Sequence, residues 1–238
     1  MTERLGSFCS WAYGAVRRVG KAGAVALGLA ATLTGTAWAE DDPVTIVALG
    51  DSLTQGFGLV DGAGFVPQLE AWLQARGHDV EVQNHGVSGD TTAGGLARVA
   101  WALGPEADAM IVALGGNDLL RGLPPGTSRA NLDGILAEAE ARGLPVLLVG
   151  LNAPGNYGPD YKAEFDAIYP ELAAQYGAIH VESFLGALER AADADRAGAI
   201  ARYMQPDGLH PNAEGVALIV EALGPEVEAL LERVGAGS

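Results

Sequence analysis

The chain has 238 residues, 49% of them hydrophobic, which is enough for one domain with a full hydrophobic core. Its 14 basic and 30 acidic residues give an excess of negative charge that repels nucleic-acid phosphates and anionic lipid headgroups. The one cysteine, Cys9, lies in the N-terminal segment described next, so a thiolate nucleophile and a cysteine-based metal site are excluded from the rest of the chain.

Residues 1–39 have the features of an export signal. Four basic residues come before the uncharged, apolar run 22–37, and Ala37-Trp38-Ala39 matches an A-x-A cleavage site. A membrane anchor is the alternative, but the run is shorter than the ~20 apolar residues of a spanning helix. We predict cleavage after residue 39 and export to the periplasm or the medium, without stable membrane insertion. The Arg17-Arg18 pair leaves the general and twin-arginine export routes both open.

The mature chain, 40–238, is predicted to form a single domain with a net charge of −19, because the signal removes four basic residues and one acidic residue. Apolar runs alternate with amphipathic segments along it. Strands are predicted at Val44–Leu49, Val80–Asn84, Ala109–Leu114, Pro145–Val149 and Ala178–Val181. Single helices are predicted between them, and a last one after Pro211-Asn212. This alternation predicts an α/β fold with a parallel sheet and helices on both faces.

The predicted helices follow hydrophobic repeats of helical spacing. They are expected at Gly64–Arg76, around Leu96–Leu103, after a cap at Thr127 or Ser128, and at Tyr161–Gln175.

Polar, glycine-rich clusters follow the first four predicted strands. They are Gly50-Asp51-Ser52, 84–90, 115–118 and 152–158. Because ligands bind at the carboxyl ends of parallel strands, the clusters are expected to meet at one edge of the sheet.

Ser52 is the candidate nucleophile, and a serine hydroxyl needs a general base to be reactive. The chain has four histidines. His78 is interpreted as a solvated loop residue, His85 as a packing or capping residue, and His180 as a core or edge residue. His210 differs because Asp207 lies three residues before it, in a turn where the carboxylate can orient the imidazole. Considered by itself, the Asp207–His210 turn would be interpreted as an ordinary polar turn before a helix. Because the chain also contains Gly50-Asp51-Ser52, we predict that Asp207 and His210 form a catalytic pair that serves Ser52.

When a serine attacks an ester, negative charge develops on the carbonyl oxygen, and hydrogen-bond donors are needed to stabilise this oxyanion. We predict the amides of Ser52 and Gly86 and the side chain of Asn117. Three other glycines, Gly89, Gly115 and Gly116, are interpreted as turn residues, and Asp51 is expected to shape the turn that carries Ser52.

Four of these features, in order, resemble the motif blocks of the GDSL or SGNH hydrolases: Gly50-Asp51-Ser52-Leu53, Gly86, Asn117 and Asp207-x-x-His210. The mature chain is most similar to the exported thioesterase I, lysophospholipase and arylesterase group. The resemblance implies a flavodoxin-like three-layer αβα sandwich with a five-stranded parallel sheet, a Ser-Asp-His triad, hydrolysis of esters and thioesters, and no cofactor or metal.

The resemblance also implies that an acyl chain lies in a groove bounded by the loops after strands three and four. The predicted substrate-binding residues are Leu120, Leu123, Pro124, Pro154 and Tyr157. Their apolar character favours a small-molecule ester or lipid over the polar substrate of a carbohydrate O-acetylesterase, which is the alternative on the same scaffold. A non-catalytic exported binding protein is a further alternative. No nucleic-acid partner is expected, and the protein is expected to be a monomer.

Overall fold

The computed structural model describes residues 42–237, and the predicted export signal lies outside them. At its centre is a five-stranded sheet with the strand order β2-β1-β3-β4-β5, in which every neighbouring pair is parallel. The strands are β1 (Val44–Gly50), β2 (Val80–Gly86), β3 (Ala109–Ala113), β4 (Val146–Val149) and β5 (Ile179–Val181). This confirms the predicted α/β class and parallel sheet.

Helices connect the strands and follow the last one. They are α1 (Ser52–Gln55), α2 (Phe65–Gln74), α3 (Thr92–Ala102), α4 (Gly116–Leu120), α5 (Pro125–Ala141), α6 (Pro159–Tyr176), α7 (Gly186–Ala194), α8 (Arg196–Tyr203) and α9 (Ala213–Gly237). A short 3-10 helix, Gly155–Tyr157, precedes α6. Within residues 42–237, none of these helices has the length and apolar character needed to cross a bilayer.

The core consists of two apolar layers, one on each face of the sheet. Alternate residues of a strand point to opposite faces, so Ile46 and Ala48 pack with α2 and α9, whereas Val47 and Leu49 pack with α3, α5 and α6. All five residues of β3 are buried, as expected for a central parallel strand. This arrangement is the predicted three-layer sandwich.

Three local predictions need correction. The second strand continues through Gly86, which pairs with Gly50, rather than ending at Asn84. Neither Thr127 nor Ser128 caps α5, because the helix already begins at Pro125 and Ser128 is buried inside it, where its hydroxyl bonds to Asp118. The sequence periodicity also did not predict α7 and α8, which follow β5.

Candidate active site

Ser52 is placed by the sharp junction between β1 and α1. The side chain of Asp51 accepts a hydrogen bond from the amide of Leu53 at 3.0 Å and thereby caps α1, whose first residue is Ser52. A Cβ atom on Gly50 would lie 1.9 Å from Oγ1 of Thr54, so only glycine fits between the strand and the helix. This capping hydrogen bond agrees with the expectation that Asp51 shapes the turn that carries Ser52.

His210 lies between Ser52 and Asp207. Its Nε2 is 2.9 Å from Oγ of Ser52, and its Nδ1 is 2.6 Å from Oδ2 of Asp207. The other carboxylate oxygen of Asp207 accepts the amides of Leu209 and His210 at 2.9 and 3.0 Å. One carboxylate therefore holds both the turn and the ring, and a proton on Nδ1 leaves Nε2 free to accept the serine proton.

The two aspartates near Ser52 have opposite pKa shifts. Hydrogen bonds from the side chain and amide of His210, and from the amide of Leu209, lower the pKa of Asp207 to about 2. Burial raises the pKa of Asp51, against the opposing effects of its bond from Leu53 and the nearby charge of His210. Asp207 therefore stays ionised beside the imidazole.

Asn117 lies at the start of α4 and lines the same cleft as Ser52. Its Nδ2 donates to Oδ2 of Asp51 at 3.3 Å, which fixes the amide group and leaves its second N–H for another acceptor.

The structure does not support Gly86 as an oxyanion donor. Its amide donates to Oδ1 of Asn84 at 2.9 Å, and Gly86 does not line the cleft. The glycine is needed for packing instead, since a Cβ atom there would lie 2.2 Å from the backbone nitrogen of Gln55.

Gly89, interpreted above as a turn residue only, lines the cleft and has a φ of +81°. Its amide donates no hydrogen bond to the described part of the chain, and its carbonyl accepts from Arg121 at 2.8 Å. Gly116, also interpreted as a turn residue, lines the cleft too.

Replacing Gly86 with alanine should therefore destabilise the protein. The new methyl group would collide with backbone of α1, which cannot move aside without shifting Ser52, and overpacking of this kind costs roughly 1–3 kcal/mol. The expected result is a lower melting temperature by circular dichroism. Gly155→Ala is the control for loss of a glycine, because a Cβ atom there meets nothing within 4 Å and its φ is not positive, so its melting temperature should stay near that of the wild type. An unchanged melting temperature in Gly86→Ala would contradict this packing.

The cleft beside Ser52 has a volume of about 400 Å³. Of the five predicted substrate-binding residues, Leu120 lines it and Leu123, Pro124, Pro154 and Tyr157 do not. Pro124 and Pro154 are exposed on the surface. The hydroxyl of Tyr157 donates a hydrogen bond to the carbonyl of Leu120 at 3.3 Å, so Tyr157 contacts a residue of the cleft wall without lining the cleft itself.

Several lining residues were not predicted. The ring of Phe57, which follows α1, lies 4.7 Å from that of His210. Other apolar walls come from α1, from the segments after β4 and β5 and from the Asp207–His210 turn: Leu53, Leu151, Leu185 and Leu209. Ser88, Asn152 and Glu189 add polar groups.

A partly buried polar network holds the loops of the site. Arg98 of α3 donates to the carbonyls of Gly50 and His85 at 2.9 and 2.7 Å and pairs with Asp90 at 2.8 Å. It thus joins the ends of β1 and β2 to the residue after Gly89. Asp118, next to Asn117, is fully buried and accepts hydrogen bonds from the α3 and α5 helices.

The other three histidines do not line the cleft. His78 is not simply solvated, because its Nε2 lies 3.1 Å from Oε1 of Glu228. His85 packs against the edge of Trp101, and Nε2 of His180 is buried without a partner in the described chain. Residues 42–237 also contain no group of three or more metal-binding side chains.

A parallel α/β sheet with serine, histidine and aspartate hydrogen-bonded in sequence at its carboxyl edge has the arrangement used by serine hydrolases.

Comparison with known proteins shows to which family of serine hydrolases the chain is similar. Residues 48–218 match the model of the GDSL-like lipase/acylhydrolase family. The chain is 38% identical over 188 residues to esterase TesA of Pseudomonas aeruginosa, covering 79% of this chain and 89% of that protein. It is 32% identical over 188 residues to thioesterase 1/protease 1/lysophospholipase L1 of Escherichia coli strain K12, covering 79% and 85%.

Among solved structures, AlinE4, described as an SGNH-hydrolase family esterase, matches with a TM-score of 0.63 and 45% identity, covering 79% of this chain and 97% of that one. The chain therefore belongs to the GDSL-like lipase/acylhydrolase family and is a carboxylic ester hydrolase. The resemblance drawn from its motifs is confirmed.

Proposed function

We propose that the protein is an exported serine esterase that hydrolyses esters and thioesters of acyl chains through an acyl-enzyme intermediate. The observation that carries this proposal is the continuous hydrogen-bonded series from Asp207 through His210 to Ser52, which ends in an apolar cleft.

In the first half of the reaction, Nε2 of His210 takes the proton from Ser52 as Oγ attacks the carbonyl carbon. The imidazolium then donates that proton to the leaving alcohol or thiol. In the second half, His210 takes a proton from water as the water oxygen attacks the acyl-enzyme carbonyl. The imidazolium then donates that proton to Oγ of Ser52 as the acyl–Oγ bond breaks, which releases the acid and restores Ser52. Asp207 holds the imidazole and stabilises its charged form throughout.

The proposed oxyanion donors are the amides of Ser52 and Gly89 and the side chain of Asn117. Gly89 replaces Gly86 in this role because the Gly86 amide is already bonded to Asn84, whereas Gly89 lines the cleft with no intramolecular acceptor in the described chain. Ordered donors of this kind act on the charge that develops in the transition state.

Replacing Asn117 with alanine should lower kcat by about 10²–10³ with little change in KM, because the amide binds the oxyanion more strongly than the substrate carbonyl. Steady-state kinetics with a p-nitrophenyl ester would measure both constants. Asn156→Ala is the matched control, since Asn156 is exposed and does not line the cleft. A variant that raises KM alone would contradict this role for Asn117.

The proposed substrate class rests on the cleft walls, whose apolar part consists of six leucines and one phenylalanine. Such walls favour an acyl chain over the acetyl groups of a carbohydrate. We would test this with p-nitrophenyl esters from acetyl to palmitoyl, a lysophospholipid, an acyl thioester and acetylated xylan. A higher kcat/KM for chains longer than acetyl is expected; a preference for acetylated xylan would instead favour the O-acetylesterase.

Export is proposed from the sequence of residues 1–39, and a monomer is proposed for the mature chain. N-terminal sequencing of the protein recovered outside the cytoplasm should begin at Glu40, and its mass in solution should be that of one chain. Recovery of the uncleaved chain from the cytoplasm would overturn the export proposal.

A further inference from the structure

A second apolar pocket lies between α7 and α8, two helices that the sequence periodicity did not predict. Its volume is about 360 Å³. Most of its lining is apolar or aromatic: Leu188, Ala192, Ala199, Ile200, Tyr203 and Met204. Ile200 is 45% exposed, so part of this hydrocarbon surface is accessible to a ligand.

This pocket adjoins the catalytic cleft. Leu185 and Glu189 line both of them. The Asp207–His210 turn lies between the pocket and the cleft at a second point, because Gly208 lines the pocket and its neighbour Leu209 lines the cleft. Leu185 and Glu189 are therefore the side chains between Ser52 and the pocket, and a substrate seated at Ser52 would reach the pocket by passing them.

The direction of the reaction indicates which part of an ester lies there. The leaving oxygen must come within hydrogen-bond distance of Nε2 of His210, since that nitrogen protonates it. The oxyanion lies on the other side, toward Asn117. The alcohol half of the ester is thus directed to the His210 side of Ser52, and the Asp207–His210 turn on that side borders the pocket through Gly208.

We propose that the α7–α8 pocket is a subsite for the alcohol half of the ester and that it selects uncharged, hydrocarbon-rich alcohols. The inference rests on the proposed esterase function. Three charged residues line the pocket: Glu189, where the pocket meets the cleft, and Asp193 and Arg196. Two acidic groups against one basic group leave a net negative charge, which disfavours anionic leaving groups. The acyl half then occupies the side of the cleft formed by Leu119, Leu120 and Leu151.

The size of the expected effect follows from hydrophobic burial. Each methylene removed from water contributes roughly a fourfold factor in kcat/KM. Lengthening the alcohol from ethyl to octyl at a constant acyl group should therefore raise kcat/KM by more than tenfold in the wild-type protein, until the pocket is full.

The test compares two series of esters. One has a butyryl group and alcohols from ethyl to octyl, and the other has ethanol and acyl chains from butyryl to decanoyl; acid release is followed by pH-stat. Filling the pocket from either wall, with Ile200→Trp or Ala192→Trp, should lower the octyl-to-ethyl ratio of kcat/KM at least tenfold. The ratios in the acyl series should stay at their wild-type values.

Ala201→Trp is the matched control, because Ala201 is exposed on α8 and does not line the pocket. Both ratios should equal those of the wild type in this variant. Circular dichroism establishes whether each variant is folded. Because Ala192 lies on α7 and Ile200 on α8, the experiment still gives a result if one of the two filling variants does not fold.

Three results would overturn the inference. An unchanged alcohol ratio in both folded filling variants would show that the pocket does not hold the alcohol, and a loss confined to the acyl series would assign it to the acyl chain. Absence of hydrolysis of every ester by the wild-type protein would overturn the proposed function as well, which distinguishes the two failures.

Discussion

Replacement of Ser52 with alanine should abolish ester hydrolysis, with a loss in kcat on the order of 10⁶. The hydroxyl of Ser52 is the one bonded to Nε2 of His210, at 2.9 Å, and alanine removes the attacking atom while leaving the His210–Asp207 pair in place. The variant should therefore remain folded. The measurement is the rate of p-nitrophenyl butyrate hydrolysis by protein purified free of host esterases.

A second serine in the cleft provides the control for this experiment. Ser88 also lines the cleft, but its hydroxyl is bonded to the side chain of Gln55 rather than to a base. A fluorophosphonate probe should add to the wild-type protein and to Ser88→Ala, as detected by intact mass, and should not add to Ser52→Ala. Hydrolysis or labelling that persists in Ser52→Ala would exclude Ser52 as the nucleophile and reopen the possibility of a binding protein.

The sheet and the Ser52–His210–Asp207 geometry were predictable because each depends on a strong local signal. The strands are apolar runs long enough to be covered on both faces, and their alternation with helices leaves few topologies. Asp207 and His210 are three residues apart, so one tight turn is enough to bring them together. The remaining requirement, contact with Ser52 158 residues away, followed from the expectation that polar clusters meet at one sheet edge.

The choice between Gly86 and Gly89 was not predictable in the same way. It depends on where β2 ends, and pairing of Gly86 with Gly50 extends the strand by two residues beyond the apolar run. Once Gly86 belongs to the strand, its amide is directed to Asn84, and the next glycine of the turn reaches the cleft. Strand ends are decided by pairing with the neighbouring strand, which one sequence does not reveal.

The cleft walls were the least predictable part, because they come from six separate segments that only the fold brings together. Leu185 comes just before two short, alanine-rich helices. Their apolar residues repeat at helical spacing, but their sequences are less hydrophobic overall than those of the helices that were predicted. A signal for α8 was nevertheless present, since the side chain of Asp195 accepts the amide of Gly198 at 3.0 Å, the bond expected of a capping aspartate. An aspartate before an alanine-rich stretch is by itself a weak indication of a helix start, and Asp193 offers a second such position two residues earlier.

Replacement of Asp207 with asparagine should lower kcat by about 10⁴ while leaving the fold intact. Asparagine keeps an oxygen for the amides of Leu209 and His210, so the turn persists. Its NH₂ group, placed opposite Nδ1, favours the tautomer with the proton on Nε2, which cannot accept the proton of Ser52. Asp207→Ala should lose similar activity and also have a lower melting temperature, because it removes the bonds of the turn. Wild-type kcat in Asp207→Asn would exclude this carboxylate as the orienting group.

Asp207→Asn should also change how the free energy of unfolding depends on pH. The pKa of Asp207 is about 2 in the folded protein, below its ordinary value of 3.8, because the carboxylate accepts bonds from His210 and Leu209. A carboxyl with a lowered pKa stabilises the folded state above the ordinary value, and this contribution disappears as the pH falls through about 2. Between pH 5 and pH 2, the free energy of unfolding should therefore fall further in the wild type than in Asp207→Asn, as measured by urea denaturation. An equal decrease in both proteins would mean that the Asp207–His210 bond does not contribute to folding, and the orienting role of Asp207 would then rest on catalysis alone.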